Sequence, residues 1–144
     1  METNIHLNPL IKWSGGKKDE LKEILLHIPD SYNLYIEPFI GGGALYFHLN
    51  PNKAVINDVH KELIDFYNSI KNGNSKEIYN FMSSHNNDEE TYYNVRDKFK
   101  VENILDNAKR FYYLRKTCYR GMLRYNKKGK FNIPFGRYKT YNFE

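Results

Sequence analysis

Residues 35–47 read Tyr-Ile-Glu-Pro-Phe-Ile-Gly-Gly-Gly-Ala-Leu-Tyr-Phe, and no other stretch limits the possible folds of this chain so strongly. Leu34, Tyr35 and Ile36 are apolar or aromatic and open it as a strand. Ala44, Leu45 and Phe47 suit the start of a helix. Gly41, Gly42 and Gly43 lie between them. A strand, a glycine turn and a helix in this order form a β-turn-α unit whose backbone comes close to a ligand. Without a Cβ, the chain can take positive φ, and a bound molecule can lie against the main chain.

The type of ligand follows from what is missing. Gly41, Gly43 and Tyr46 make G-x-G-x-x-Y, which lacks the third glycine of the dinucleotide fingerprint. Ser14-Gly15-Gly16-Lys17-Lys18 fails as a phosphate loop. Ile11 stands where its first glycine belongs, and Lys18 where Ser or Thr would hold magnesium. A nucleoside without phosphates fits better, with a plain tight turn as the alternative. Asp58, at the end of the next apolar run, can accept both hydroxyls of a ribose or can cap the helix after it. Lys17 can meet a carboxylate, with the Trp13 indole packing nearby, or can be a solvated lysine. Glu37 is a strand-end acid suited to a backbone amide or an ammonium.

Periodicity supplies the frame. Leu21, Ile24, Leu25 and Ile28 predict a helix over 18–28, stopped by Pro29. Strands are expected at 33–37 and, buried, at 54–58. Helices are expected from Ala44 to Leu49 and from His60 to Lys71. The alternation implies a parallel sheet. After Gly73 helices are expected at 74–83, 89–99 and 104–119, the last with Ile104, Leu105, Ala108, Phe111, Tyr112 and Arg115 along one side and Gly121 at its end. Residues 122–126 and 130–134 then flank Lys127-Lys128-Gly129, a basic hairpin turn with glycine in the left-handed position. The expected organisation is two domains: residues 1–60, half of a cofactor-binding sheet, and 61–144, a helical domain carrying the hairpin.

Charge separates these halves. Residues 1–106 hold 11 Lys/Arg and 16 Asp/Glu, whereas residues 107–144 hold 11 Lys/Arg and one acid, Glu144. Basic residues interleaved with tyrosine and phenylalanine suit a nucleic-acid surface, with a solvated basic face as the alternative. No apolar run approaches the roughly eighteen residues of a membrane span. The N-terminus lacks the layout of a signal peptide. The single cysteine, Cys118, excludes an internal disulfide, and the five histidines lack ligand spacing. A soluble, cytoplasmic protein without metal is expected.

A two-stranded ribbon fits the DNA major groove, where arginine pairs bidentately with guanine and apolar groups meet the thymine methyl. Lysines at the turn suit phosphates.

Together these residues resemble the Dam-type DNA adenine methyltransferases. The resemblance rests on Lys12-Trp13-Ser14-Gly15-Gly16-Lys17, Glu37-Pro38-Phe39-Ile40-Gly41-Gly42-Gly43, Asn57-Asp58, and the hairpin from Arg124-Tyr125-Asn126 through Phe131-Asn132-Ile133-Pro134-Phe135-Gly136. It runs from Ile11 to about Tyr138. It implies an α/β fold, a partial Rossmann-like methyltransferase sheet with an inserted helical target-recognition domain. It also implies S-adenosylmethionine as methyl donor and double-stranded DNA as partner, with methylation of adenine in GATC or a related site, in a restriction-modification setting. Trp13, Lys17 and Asp58 would contact S-adenosylmethionine, with Glu37, Phe39, Gly41 and Gly43 beside it. Lys12 would reach one guanine and Arg124 the other. Met122 and Pro134 would lie against the outer thymine, and Tyr119 would enter the stack when adenine flips out. Arg120, Asn126 and Tyr138 join this DNA-facing set.

Two departures stand out. The family usually has Asn after the inserting aromatic; this chain has Arg120. The family's catalytic Asp/Asn-Pro-Pro-Tyr/Phe does not occur. Asn132-Ile133-Pro134-Phe135 matches by letters only, belongs to the hairpin and is not catalytic. The expectation is therefore an N-terminal piece, inactive alone, with the catalytic segment in a continued frame or a second polypeptide. A non-catalytic DNA-binding fragment is the alternative.

Overall fold

The computed structural model describes residues 6–143. The chain divides into two compact units, Met1–Val59 and His60–Glu144.

In the first unit, α1 (Leu21–Leu25) is followed by β1 (Tyr35–Glu37), α2 (Ala44–Leu49) and β2 (Ala54–Ile56). β1 and β2 pair in parallel, Tyr35 opposite Ala54, Ile36 opposite Val55 and Glu37 opposite Ile56. The mixed helix and small parallel sheet are those of a partial α/β fold. Three expectations need correction. α1 has five residues rather than eleven: Glu20 at its start makes no side-chain cap, and beyond Leu25 the chain tightens into i to i−3 turns, Leu26 N to Glu23 O and His27 N to Ile24 O. β1 begins at Tyr35, two residues later than expected. β2 is not buried: Ala54 and Val55 are exposed and Ile56 is half-buried. An apolar run signals burial only when something covers it, and among the described residues β2 has one partner strand, β1. Ile11, Ile40 and Leu45 are the buried apolar side chains described in this unit.

The second unit is helical: α3 (Lys61–Lys71), α4 (Ser75–Ser84), α5 (Glu89–Asp97) and α6 (Ile104–Thr117). α6 packs against each of the other three. Its apolar face is continuous: Ala108, Phe111, Tyr112 and Leu114 are buried, Phe66 of α3 stacks on Tyr112 with centroids 5.1 Å apart, and Tyr113 donates to the Asn86 carbonyl at 2.7 Å. Ile104 is exposed, so that face starts one turn later than the sequence suggests.

The starts of α3, α5 and α6 are capped by side chains, and that of α4 is not. Asp88 Oδ1 accepts from Thr91 N at 2.8 Å, and Asn103 Oδ1 from Asp106 N at 2.8 Å. α3 is capped by His60, whose Nδ1 accepts from Leu63 N, so Asp58 is not its cap. α6 ends at Thr117. The next three residues, Tyr119–Gly121, form a 3-10 turn in which Arg120 has φ 52°.

The basic segment then doubles back. Residues 122–126 and 130–134 are joined by Asn126 N to Lys130 O at 2.9 Å and Asn132 N to Arg124 O at 3.1 Å. The ladder is shorter than a full hairpin, with antiparallel bridges only at Tyr125–Phe131 and Cys118–Phe135 among the described residues. Gly129 sits at the turn with φ 71°.

Candidate functional site

The first cluster forms where β1 and β2 end. Glu37, the last residue of β1, is buried. Its Oε2 accepts the Tyr35 hydroxyl at 2.6 Å, and its Oε1 lies 3.0 Å from Lys17 Nζ. That ammonium donates to the Phe39 carbonyl at 2.7 Å. Lys17 thus meets a carboxylate within its own chain. The ion pair supplies the opposite charge to Oε1, an oxygen shut off from solvent. Burial, then the Glu37 bond, pushes the Tyr35 phenol well above its usual value and keeps it a donor.

The glycine turn is laced to the end of β2. Asp58 Oδ2 accepts from Gly41 N at 3.0 Å, and Ile40 N donates to Asn57 O at 2.9 Å. Gly41 has φ 53° and Gly43 φ 75°, torsions that glycine adopts without steric cost. The missing Cβ atoms also serve Trp13. A Cβ at Gly41 would stand 3.0 Å from Trp13 Cδ1, and one at Gly42 3.0 Å from Trp13 Cβ. The bare main chain expected to face a ligand therefore faces this half-buried indole. The Phe39 ring is 75% exposed. The structure brings Trp13, Lys17, Glu37, Phe39, Gly41, Gly43 and Asp58 into one neighbourhood. Lys12 is exposed on the segment entering Trp13.

The cluster holds a buried carboxylate in Glu37, the half-buried Trp13 indole against the glycine turn, and a turn-holding acid in Asp58. Among the described residues no group of His, Cys, Asp and Glu could hold a metal ion. Among the same residues no helix is long and apolar enough to cross a membrane.

The second cluster is the hairpin. Its side chains alternate with the pleat: Phe131 and Ile133 are buried and Leu123 and Tyr125 half-buried, whereas Met122, Arg124, Asn126 and Pro134 are exposed. Tyr119, Arg120 and Tyr138 are exposed as well, and the Arg120 guanidinium lies over the Tyr119 ring at 5.3 Å. The inner row is tied down by the helices. Tyr92 and Arg96 of α5 donate to the Ile133 carbonyl at 2.8 and 3.1 Å. Tyr125 donates to Glu62 and faces His60 Nε2 at 3.0 Å. Because His60 Nδ1 accepts from Leu63 N, the ring proton belongs on Nε2. Burial, then the Glu62 bond, raises the Tyr125 phenol far above its usual value.

Several supporting residues were not legible as such in the sequence. Arg115 is buried and donates to the Gly121 and Met122 carbonyls, bracing the turn that carries Tyr119 and Arg120. Burial lowers its pKa. Asn126 builds the tip, its Oδ1 accepting from Lys128 N and Lys130 N at 2.9 and 3.0 Å. A Cβ on Gly136 would lie 2.8 and 2.9 Å from the Thr117 and Cys118 carbonyl oxygens, so the return strand must pass there bare. Asn132 grips Arg124 from across the ladder.

A profile described as D12 class N6 adenine-specific DNA methyltransferase matches residues 13–144. The chain is 59% identical over 140 residues to Type II methyltransferase M.CviBI of Paramecium bursaria Chlorella virus NC1A, covering 96% of this chain and 54% of that protein. It is 39% identical over 146 residues to Type II methyltransferase M1.LlaDCHI of Lactococcus lactis subsp. cremoris, covering 96% and 51%. It is 33% identical over 133 residues to a DNA adenine methylase of Vibrio cholerae serotype O1, covering 90% and 48%. The chain thus spans about half the length of these curated relatives.

Proposed function

The chain belongs to the D12 class N6 adenine-specific DNA methyltransferases, and from that premise we propose that it supplies the S-adenosylmethionine-binding half-sheet and the DNA-reading unit of an enzyme acting on adenine in GATC or a related site. Residues 1–60 form the cofactor half, and residues 61–144 an inserted target-recognition domain. The reading rests above all on the exposed row of Met122, Arg124, Asn126 and Pro134, standing on a buried inner row.

In this reading Trp13, Phe39 and Asp58 hold the donor, and Glu37 accepts from its amine. Bound S-adenosylmethionine supplies an electrophilic methyl group. Arg124 reads a guanine of the target, Met122 and Pro134 meet a thymine methyl, and Tyr119 fills the gap left by a flipped adenine. Lys12 contacts the other guanine. The turn lysines Lys127 and Lys128 neutralise phosphates.

No residue of this chain takes the proton-accepting role. The family's catalytic tetrapeptide is absent from the sequence. The Ile133 carbonyl in its near-match already accepts two hydrogen bonds from α5. That segment would come from elsewhere in the whole protein or from a second polypeptide. The chain alone then holds cofactor and DNA without turnover.

Two measurements test this. Trp13 is the sole tryptophan, so S-adenosylmethionine should quench its fluorescence, NAD and ATP should not, and Asp58→Ala should abolish the effect. Arg124→Ala should cost about 1–3 kcal/mol on a GATC duplex and relax one position. Equal loss on every sequence would reduce Arg124 to a phosphate contact and overturn the assignment.

A further inference from the structure

Arg124 is exposed, yet its side chain is not left to find a base by itself. Asn132 lies directly across the hairpin, its N–H bonded to the Arg124 carbonyl at 3.1 Å. The same residue takes hold of the guanidinium. Arg124 Nε donates to Asn132 Oδ1 at 2.8 Å, and Arg124 Nη2 donates to the Asn132 carbonyl at 3.3 Å.

A guanidinium has two edges able to form a paired hydrogen bond: the Nε/Nη2 edge and the Nη1/Nη2 edge. Asn132 occupies the first. The second remains, with both Nη1 hydrogens and one Nη2 hydrogen. Guanine presents O6 and N7 as a matching acceptor pair.

We propose that Asn132 is a positioning residue that sets the specificity of Arg124, blocking one edge of its fork and fixing the plane of the other before DNA arrives. This rests on the reading of Arg124 as a guanine contact. An unrestrained arginine on a hairpin loses rotamer freedom when it binds. It can also approach a base by either edge. The Asn132 pair removes the first cost and one of the two modes. The hairpin does not need the Asn132 side chain for its own ladder. The tip is built by the Asn126 side chain, and the cross-strand bonds use main-chain atoms.

The test is a double-mutant cycle read as a specificity ratio. Dissociation constants are measured by anisotropy for a GATC duplex and for one with a single outer G·C pair changed to A·T, with the melting temperature of each variant as a fold control. Asn132→Ala should lower the ratio by about 3- to 10-fold while binding to the altered duplex holds. Asn132→Asp, which keeps the oxygen acceptor, should retain the ratio even as its charge weakens both duplexes. In an Arg124→Ala background, Asn132→Ala should change nothing further. If Asn132→Ala weakens both duplexes equally, or acts undiminished without Arg124, the positioning role is wrong. If Arg124→Ala itself leaves the ratio intact, the guanine reading falls first, and the two failures are told apart.

Discussion

In Met1–Val59, Leu26 is 75% exposed, Ile36 60% and Val55 54%, and the only buried apolar side chains described are Ile11, Ile40 and Leu45. In His60–Glu144, Tyr92, Tyr113, Phe66, Leu63 and Met82 are among side chains shut off from solvent, and the hydroxyls of Tyr92 and Tyr113 each reach a carbonyl. The two units have comparable apolar sequences but use them differently. The helical unit closes a core on itself. The half-sheet makes its order mainly from polar ties: Glu37 to Lys17, Asp58 to Gly41, and Ile40 to Asn57. Burial supplies most of the free energy of folding, so stability should concentrate in the helical unit and site geometry should be the stronger theme of the half-sheet.

The largest expected contrast lies in amide exchange. Amides of β1 and β2 should exchange orders of magnitude faster than those in the middle of α6. Uniformly slow exchange across both strands would break the comparison. Next in size are truncations. Tyr92→Ala should cost about 3–5 kcal/mol in urea denaturation, by analogy with other large aromatic deletions. Val55→Ala should stay within about 0.5 kcal/mol, as an exposed change does. A large loss at Val55 would mean that β2 is covered. The smallest effect concerns acid. The Thr91 amide beside Asp88 holds that carboxyl below its ordinary value of 3.8. A depressed pKa adds stability at neutral pH that is lost as pH falls below that value. The melting temperature of Asp88→Ala should therefore drop less than that of the parent between pH 7 and pH 3; an equal drop would remove Asp88 from the account.

What was readable in the sequence was local. The turn at Lys127-Lys128-Gly129 is marked by its glycine, and α3, α4, α5 and α6 lie within two residues of the bounds expected for them. What escaped was set by distant partners. Asp58 obeys a local capping rule on paper, but its oxygen is taken by Gly41, 17 residues upstream. Gly41 and Gly42 looked like room for a ligand, and the room is used by Trp13. Val55 reads as a core residue until its surroundings are known. The Asn132 grip on Arg124 needed the register of the ladder, which a turn signal alone does not give to atomic detail. The resemblance to a methyltransferase family was legible because its motifs are short and ordered; the match over residues 13–144 bears it out.

Arg120 has φ 52°, a torsion that a branched or long L side chain tolerates poorly and that asparagine tolerates well. The asparagine that the resemblance implies for this place would thus have a torsional reason as well as a chemical one. Arg120→Asn would relieve the main chain while the bonds from Gly121 N to Cys118 O and from Met122 N to Tyr119 O stayed available. Replacements at this position are therefore lopsided: glycine, asparagine and aspartate lie downhill, and most others inherit the same twist without the guanidinium that now rests on Tyr119.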